Sequence, residues 1–86
     1  MKKGEIIYRN IQTAIFVVRL EDEEDTCSIF EGFDVQDFSI GDKVFGPLAR
    51  TGTAEVVNVS NSQIRPVIVR YVDCTHDMAM DLVNDL

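Results

Sequence analysis

The chain has 86 residues, enough for one small domain with a modest core and little room for a deep pocket. Val and Ile outnumber Leu and Ala by more than two to one, and β-branched side chains suit a pleated sheet better than a helix. A formal net charge of −7 argues against duplex binding, and no apolar run approaches the roughly 20 residues needed for a membrane-spanning helix.

The charge is unevenly placed. Residues 1–20 carry Lys2, Lys3, Arg9 and Arg19 against Glu5 alone, so the acidic excess lies in residues 21–86. A locally basic sheet face can attract phosphate at low salt even on an acidic molecule. The first twenty residues lack a short apolar block followed by a small-residue cleavage site, and the expected location is cytoplasmic.

Gly4 to Asn10, "GEIIYRN", reads as a first strand, with Ile6 and Tyr8 on one face and Ile7 and Arg9 on the other. The next segment, "TAIFVVRLED", is apolar on both faces from Ala14 to Val18, as in a strand of a closed or sandwiched sheet. Glu21 to Asp25 then form an acidic run. Calcium loops need a glycine bend and spaced ligands, so this run reads as a solvated hairpin tip.

"TCSIFEGF" supplies a third strand, with Cys27, Ile29 and Glu31 opposite Ser28 and Phe30. A connector, "DVQDFSIGD", carries Val35, Phe38 and Ile40 to the turn at Gly41-Asp42. Lys43 to Phe45 make a fourth strand, which Gly46-Pro47 interrupts because proline cannot donate to a ladder. "TAEVVNVS" is the fifth, and Asn61-Ser62 turn the chain into "IRPVIVRYVD", the sixth.

From Thr75 the period changes. Met78, Ala79, Leu82, Val83 and Leu86 recur on one helical face, with Asp77, Asp81 and Asp85 on another, and Thr75 is placed to cap the first turn. The expected fold is all-β: a single domain over 1–86, with a small antiparallel barrel of five or six strands over 1–73. A short amphipathic helix over 75–85 follows it.

Residues 4–60 resemble the cold-shock branch of the oligonucleotide-binding (OB) barrel family. The resemblance rests on "GEIIYRN", the aromatic-bearing "AIFVV" and "SIF", and a Gly-polar-x-Val strand before "AEVVNV". It implies an OB-like barrel and a sheet face for unpaired bases. Tyr8, Phe16 and Phe30 would stack, while Arg9, Arg19 and Lys43 met phosphates. The sequence departs from the family where the second strand keeps only Phe16 of a Gly-Phe-Gly-Phe pattern, and where acidic Glu31 follows Phe30. With no tryptophan and seven aromatics to fill a barrel, the residues themselves favour these rings as core. The nucleic-acid binding expected is at most weak, single-stranded and salt-sensitive.

Chemistry has one candidate, "DCTHD", in which Cys74 and His76 are two residues apart. Two ligands do not close a zinc site, and no second histidine exists to complete one. Neither a catalytic centre nor a metal or cofactor is expected, and Cys27 and Cys74 read as buried, reduced thiols. The function that remains is that of a small acidic, non-enzymatic binding module with a protein partner or a second copy of itself. Two contact surfaces are expected. One is a free strand edge beside the added sixth strand. The other is the helical face of Met78, Leu82 and Val83, which either closes the open end of its own barrel, the preferred reading, or enters a partner's groove.

Overall fold

In the computed structural model, which describes residues 1–86, the chain folds as two meanders of three strands each. The first comprises β1 (Lys2–Asn10), β2 (Ile15–Leu20) and β3 (Cys27–Glu31). The second comprises β4 (Lys43–Gly46), β5 (Gly52–Asn58) and β6 (Gln63–Cys74), and a short helix, α1 (His76–Val83), follows it. Two seams, β1 against β4 and β3 against β6, join the meanders into a closed barrel of order β1-β2-β3-β6-β5-β4 with every pairing antiparallel.

The OB plan is five-stranded and partly open, whereas here six strands close the ring. β6 lies between β3 and β5 rather than on an edge. β5 pairs with Gln63–Val69 and β3 with Ile68–Cys74, so the closed ring leaves no whole edge strand for the strand addition expected beside β6, only the stretch of β6 that runs beyond each partner.

Alternation along the strands fills the barrel. Ile6, Phe16, Val18, Phe30, Val44, Val56 and Val69 point inward and are buried. Two residues outside the strands complete the core. Phe38 comes from the connector and packs edge-on against Phe16 and Phe30 at ring centroid distances of 5.1 and 5.0 Å. Leu48 enters from the loop after Gly46-Pro47, and the buried Ser28 hydroxyl donates to its carbonyl oxygen at 2.5 Å.

Strict alternation fails in β1. Ile6 lies opposite Val18 but Tyr8 lies opposite Val17, so Ile7 is an extra residue in a β-bulge. A one-residue slip exchanges the faces of everything beyond it. Ile6 thus faces the core, Tyr8 packs on the outer side, and Arg9, opposite Phe16, returns to the inner side. The expected pairing of Ile6 with Tyr8 on one face is corrected by this bulge. The same strand runs very close to β2: a Cβ on Gly4 would lie 2.5 Å from Val18 Cγ2 and 2.8 Å from the Arg19 carbonyl oxygen.

The outward face of the first meander is also apolar, and α1 covers it. Ile15, Val17, Cys27, Ile29 and Cys74 form a second core with Ala79 and Val83 of the helix. This explains why β2 is apolar on both faces. The helix lies against the outer wall of β2 and β3 and not across an open end of the barrel, which corrects the expected end-closing cap. Its inner face is also rotated from the expected one: Val83 is buried and Leu82 partly so, but Met78 is 54% exposed. Two caps fix where α1 begins. Thr75 Oγ1 accepts from the Met78 amide at 3.2 Å, and Asp25 Oδ1, from the β2–β3 tip, accepts from the His76 amide at 2.9 Å.

Candidate functional site

The residues offered for nucleic acid are dispersed by the fold. Phe16 and Phe30 have no exposed surface and lie 5.4 Å apart, centroid to centroid, inside the barrel. A ring without an exposed face cannot stack on a base, so both leave the candidate site. Tyr8 is half-buried beside the helix core on the outer wall.

Arg9 is committed to the backbone. Its Nη1 donates to the carbonyl oxygens of Val35 at 3.1 Å and Phe38 at 2.8 Å, holding the connector that delivers Phe38. A second set of polar contacts holds the same connector from the other side. Buried Asn58 donates through Nδ2 to the Asp37 carbonyl at 3.1 Å and to Asp42 Oδ2 at 2.8 Å, while its Oδ1 accepts from the Ser60 amide at 3.1 Å. Arg65 Nε donates to Asp37 Oδ1 at 3.0 Å.

Arg19 and Lys43 both meet Glu5. Lys43 Nζ donates to Glu5 Oε1 at 2.8 Å and lies 3.6 Å from Glu21, and Arg19 Nη2 lies 3.8 Å from Glu5. The hydrogen bond from Lys43 holds the Glu5 carboxyl below its ordinary value and raises the Lys43 ammonium above its own. The acidic run is likewise spread out: Glu21 turns to Lys43, Glu23 pairs with Lys2 at 2.9 Å, and Asp25 caps the helix. Lys3 and Arg50, by contrast, have no carboxylate within ion-pair distance.

The structure also separates Cys74 from His76. Cys74 is buried under the helix, whereas His76 is exposed at the first turn, with Nδ1 3.5 Å from Asp77 Oδ1.

What the fold does bring together is an outward apolar row on the second meander. Register neighbours Lys3, Phe45, Val57 and Ile64 cross β1, β4, β5 and β6 in sequence, with Val59 alongside. Val59 and Ile64 are 56% and 57% exposed. Phe45, Val57 and Val59 line an open groove of about 410 Å³, rimmed by Lys3, Lys43 and Glu21. The sequence reading missed these residues. Their signal was present in "KVF", "EVVNV" and "QIRP", where Phe45 and Val57, each next to a core valine, and Ile64 are apolar at outward positions.

Comparison of the chain with family models, with curated proteins and with solved structures found no match.

Proposed function

We infer that the barrel is a protein-binding module whose contact surface is the outward row of Phe45, Val57, Val59 and Ile64. The observation that carries this reading is the asymmetry of the outer wall. The apolar exterior of the first meander is covered by α1, while that of the second meander is uncovered. A contiguous apolar patch on a small acidic protein costs solubility and is the usual mark of a contact surface. Lys3 at the end of the row, lacking a carboxylate of its own chain, favours a partner with an apolar ridge and an acidic group beside it. A net charge of −7 opposes self-association, which places a different protein ahead of a second copy. The reading assigns no chemistry to Cys74 and His76 and requires no cofactor.

A photo-crosslinking residue at position 64 tests it against one at position 81 on the exposed side of α1. The expected result is one defined partner captured from position 64 and lost on Phe45→Glu, with folding retained. Equal capture from both positions, or capture indifferent to Phe45→Glu, would defeat the reading. Sedimentation of the purified chain separates self-association from hetero-association.

Weak single-strand binding in the manner of cold-shock barrels ranks lower. Of the residues it named, Tyr8 alone remains available as a partly exposed ring, and Arg9, Arg19 and Lys43 already have partners. Titration with short single-stranded RNA and DNA at physiological salt tests it. Tight binding lost in Tyr8→Ala would place it first.

A further inference from the structure

Cys27 and Cys74 are 47 residues apart in sequence yet are register partners across the β3–β6 seam, and both side chains belong to the core under α1. Directly opposed residues of an antiparallel pair have Cα atoms about 4.5–5.5 Å apart, within the roughly 4.4–6.8 Å that a disulfide spans. Both thiols are free. We propose that Cys27 and Cys74 are a dithiol that closes into an intramolecular cross-strand disulfide by exchange with a low-molecular-weight disulfide.

The surroundings set how the exchange proceeds. Cys27 is fully buried and Cys74 4% exposed, and burial raises both thiols, so few thiolates are present in the docked state. The element that covers them is a helix of eight residues, too short to persist without its docking contacts. Opening of α1 uncovers Cys74 first, since Cys74 directly precedes the Thr75 cap. Its thiolate attacks one sulfur of the small disulfide, forming a mixed disulfide and releasing one small thiolate. Cys27 then attacks the Cys74 sulfur of that mixed disulfide and releases the second. Two electrons pass from the protein thiols to the small disulfide, and the two protein protons go to the released thiolates. The product fixes the root of α1 to β3 and locks one of the two seams that close the barrel.

The test uses the full chain, oxidised glutathione as the probe, and intact mass after acid quenching. The expected product is lighter by about 2 Da, for the two hydrogens lost, with no persistent glutathione adduct. Cys27→Ser is expected instead to stop at a glutathione adduct on Cys74. Val83→Ala, which loosens the helix, is expected to form the bridge about tenfold faster. The bridged form is expected to melt about 10 °C above the reduced form. A persistent adduct on the unsubstituted chain, a bridge between two chains, or a chain that stays reduced while its urea-unfolded form reacts would each overturn the proposal. So would a bridged form that melts at or below the reduced one.

Discussion

Arg9 Nη1 lies 2.8 Å from the carbonyl oxygen of Phe38, a residue 29 positions further along the chain that no strand carries. The contact lets a connector deliver a third ring to the core. The connector's carbonyls at positions 35 and 38 would otherwise be partly buried without a partner. Removing Arg9 leaves them unpaired, and hydrogen bonds to a charged group contribute roughly 1.5–3 kcal/mol. Arg9→Met is therefore expected to lower unfolding stability by about 2 kcal/mol in urea denaturation. An Arg9→Met chain as stable as the parent would show that Phe38 holds its place by packing alone.

Asn58 gives a sharper contrast because its amide donates to Asp42 while its carbonyl accepts from Ser60. Asn58→Ala removes these contacts at a buried position and is expected to cost about 2 kcal/mol. Asn58→Asp keeps the shape but sets a buried carboxylate against Asp42, and is expected to cost more at neutral pH and to recover part of the loss in acid. Paired denaturation curves at pH 7 and pH 5 measure the difference.

The Glu5–Lys43 pair predicts a pH dependence with a definite sign. Glu5 is held below its ordinary value of 4.5, so the folded state binds its proton less readily than the unfolded chain does. Its contribution is complete above the ordinary value and disappears as pH falls through the lowered one. Lys43 is raised above 10.5, so its contribution persists below that value and is lost only at more alkaline pH. Glu5→Gln should thus be less stable than the parent at pH 7 and converge with it as pH falls below the lowered Glu5 value. Lys43 is exposed and Glu5 only partly covered, so the effect is small and should shrink in high salt.

The docked helix separates Met78 from Val83. Val83 is fully buried, and Val83→Ala is expected to cost about 1–2 kcal/mol, whereas exposed Met78→Ala should stay within about 0.5 kcal/mol. Truncation after Cys74 uncovers Ile15, Val17 and Ile29 together and is expected to leave a chain that does not fold, read by circular dichroism and amide exchange.

Much of the fold was legible because its signals are local. Apolar segments bounded by Gly41-Asp42, Gly46-Pro47 and Asn61-Ser62 coincide with the six strands, and the hydroxyl of Thr75 caps the helix as its position suggested. The rest depends on partners distant in sequence. Nothing in "GEIIYRN" reveals that Ile7 is an extra residue, since a bulge shows only against the opposing strand. The β3–β6 seam, and with it the adjacency of Cys27 and Cys74, depends on closure between two meanders. Met78 was misplaced because its apolar face spans more of the helix circumference than one sheet can cover. The outward row on β4 to β6 escaped the sequence because whether an outward apolar residue is covered depends on where α1 docks, and α1 lies over the first meander alone.

The two-meander plan also orders the events of folding. Hairpins within each meander join near neighbours and form early, whereas the β1–β4 and β3–β6 seams must close large loops and come late. During synthesis the first meander emerges complete while both its border strands still lack partners and α1 has not been made. For that interval the nascent chain exposes two open ladders and an uncovered Ile15-Val17-Ile29 wall, the arrangement most prone to pair with another chain. β4 covers the β1 ladder, and β6 with α1, which follow it in the chain, cover the β3 ladder and the wall, so ribosome-bound chains stalled before position 63 should aggregate on release while the 86-residue chain does not.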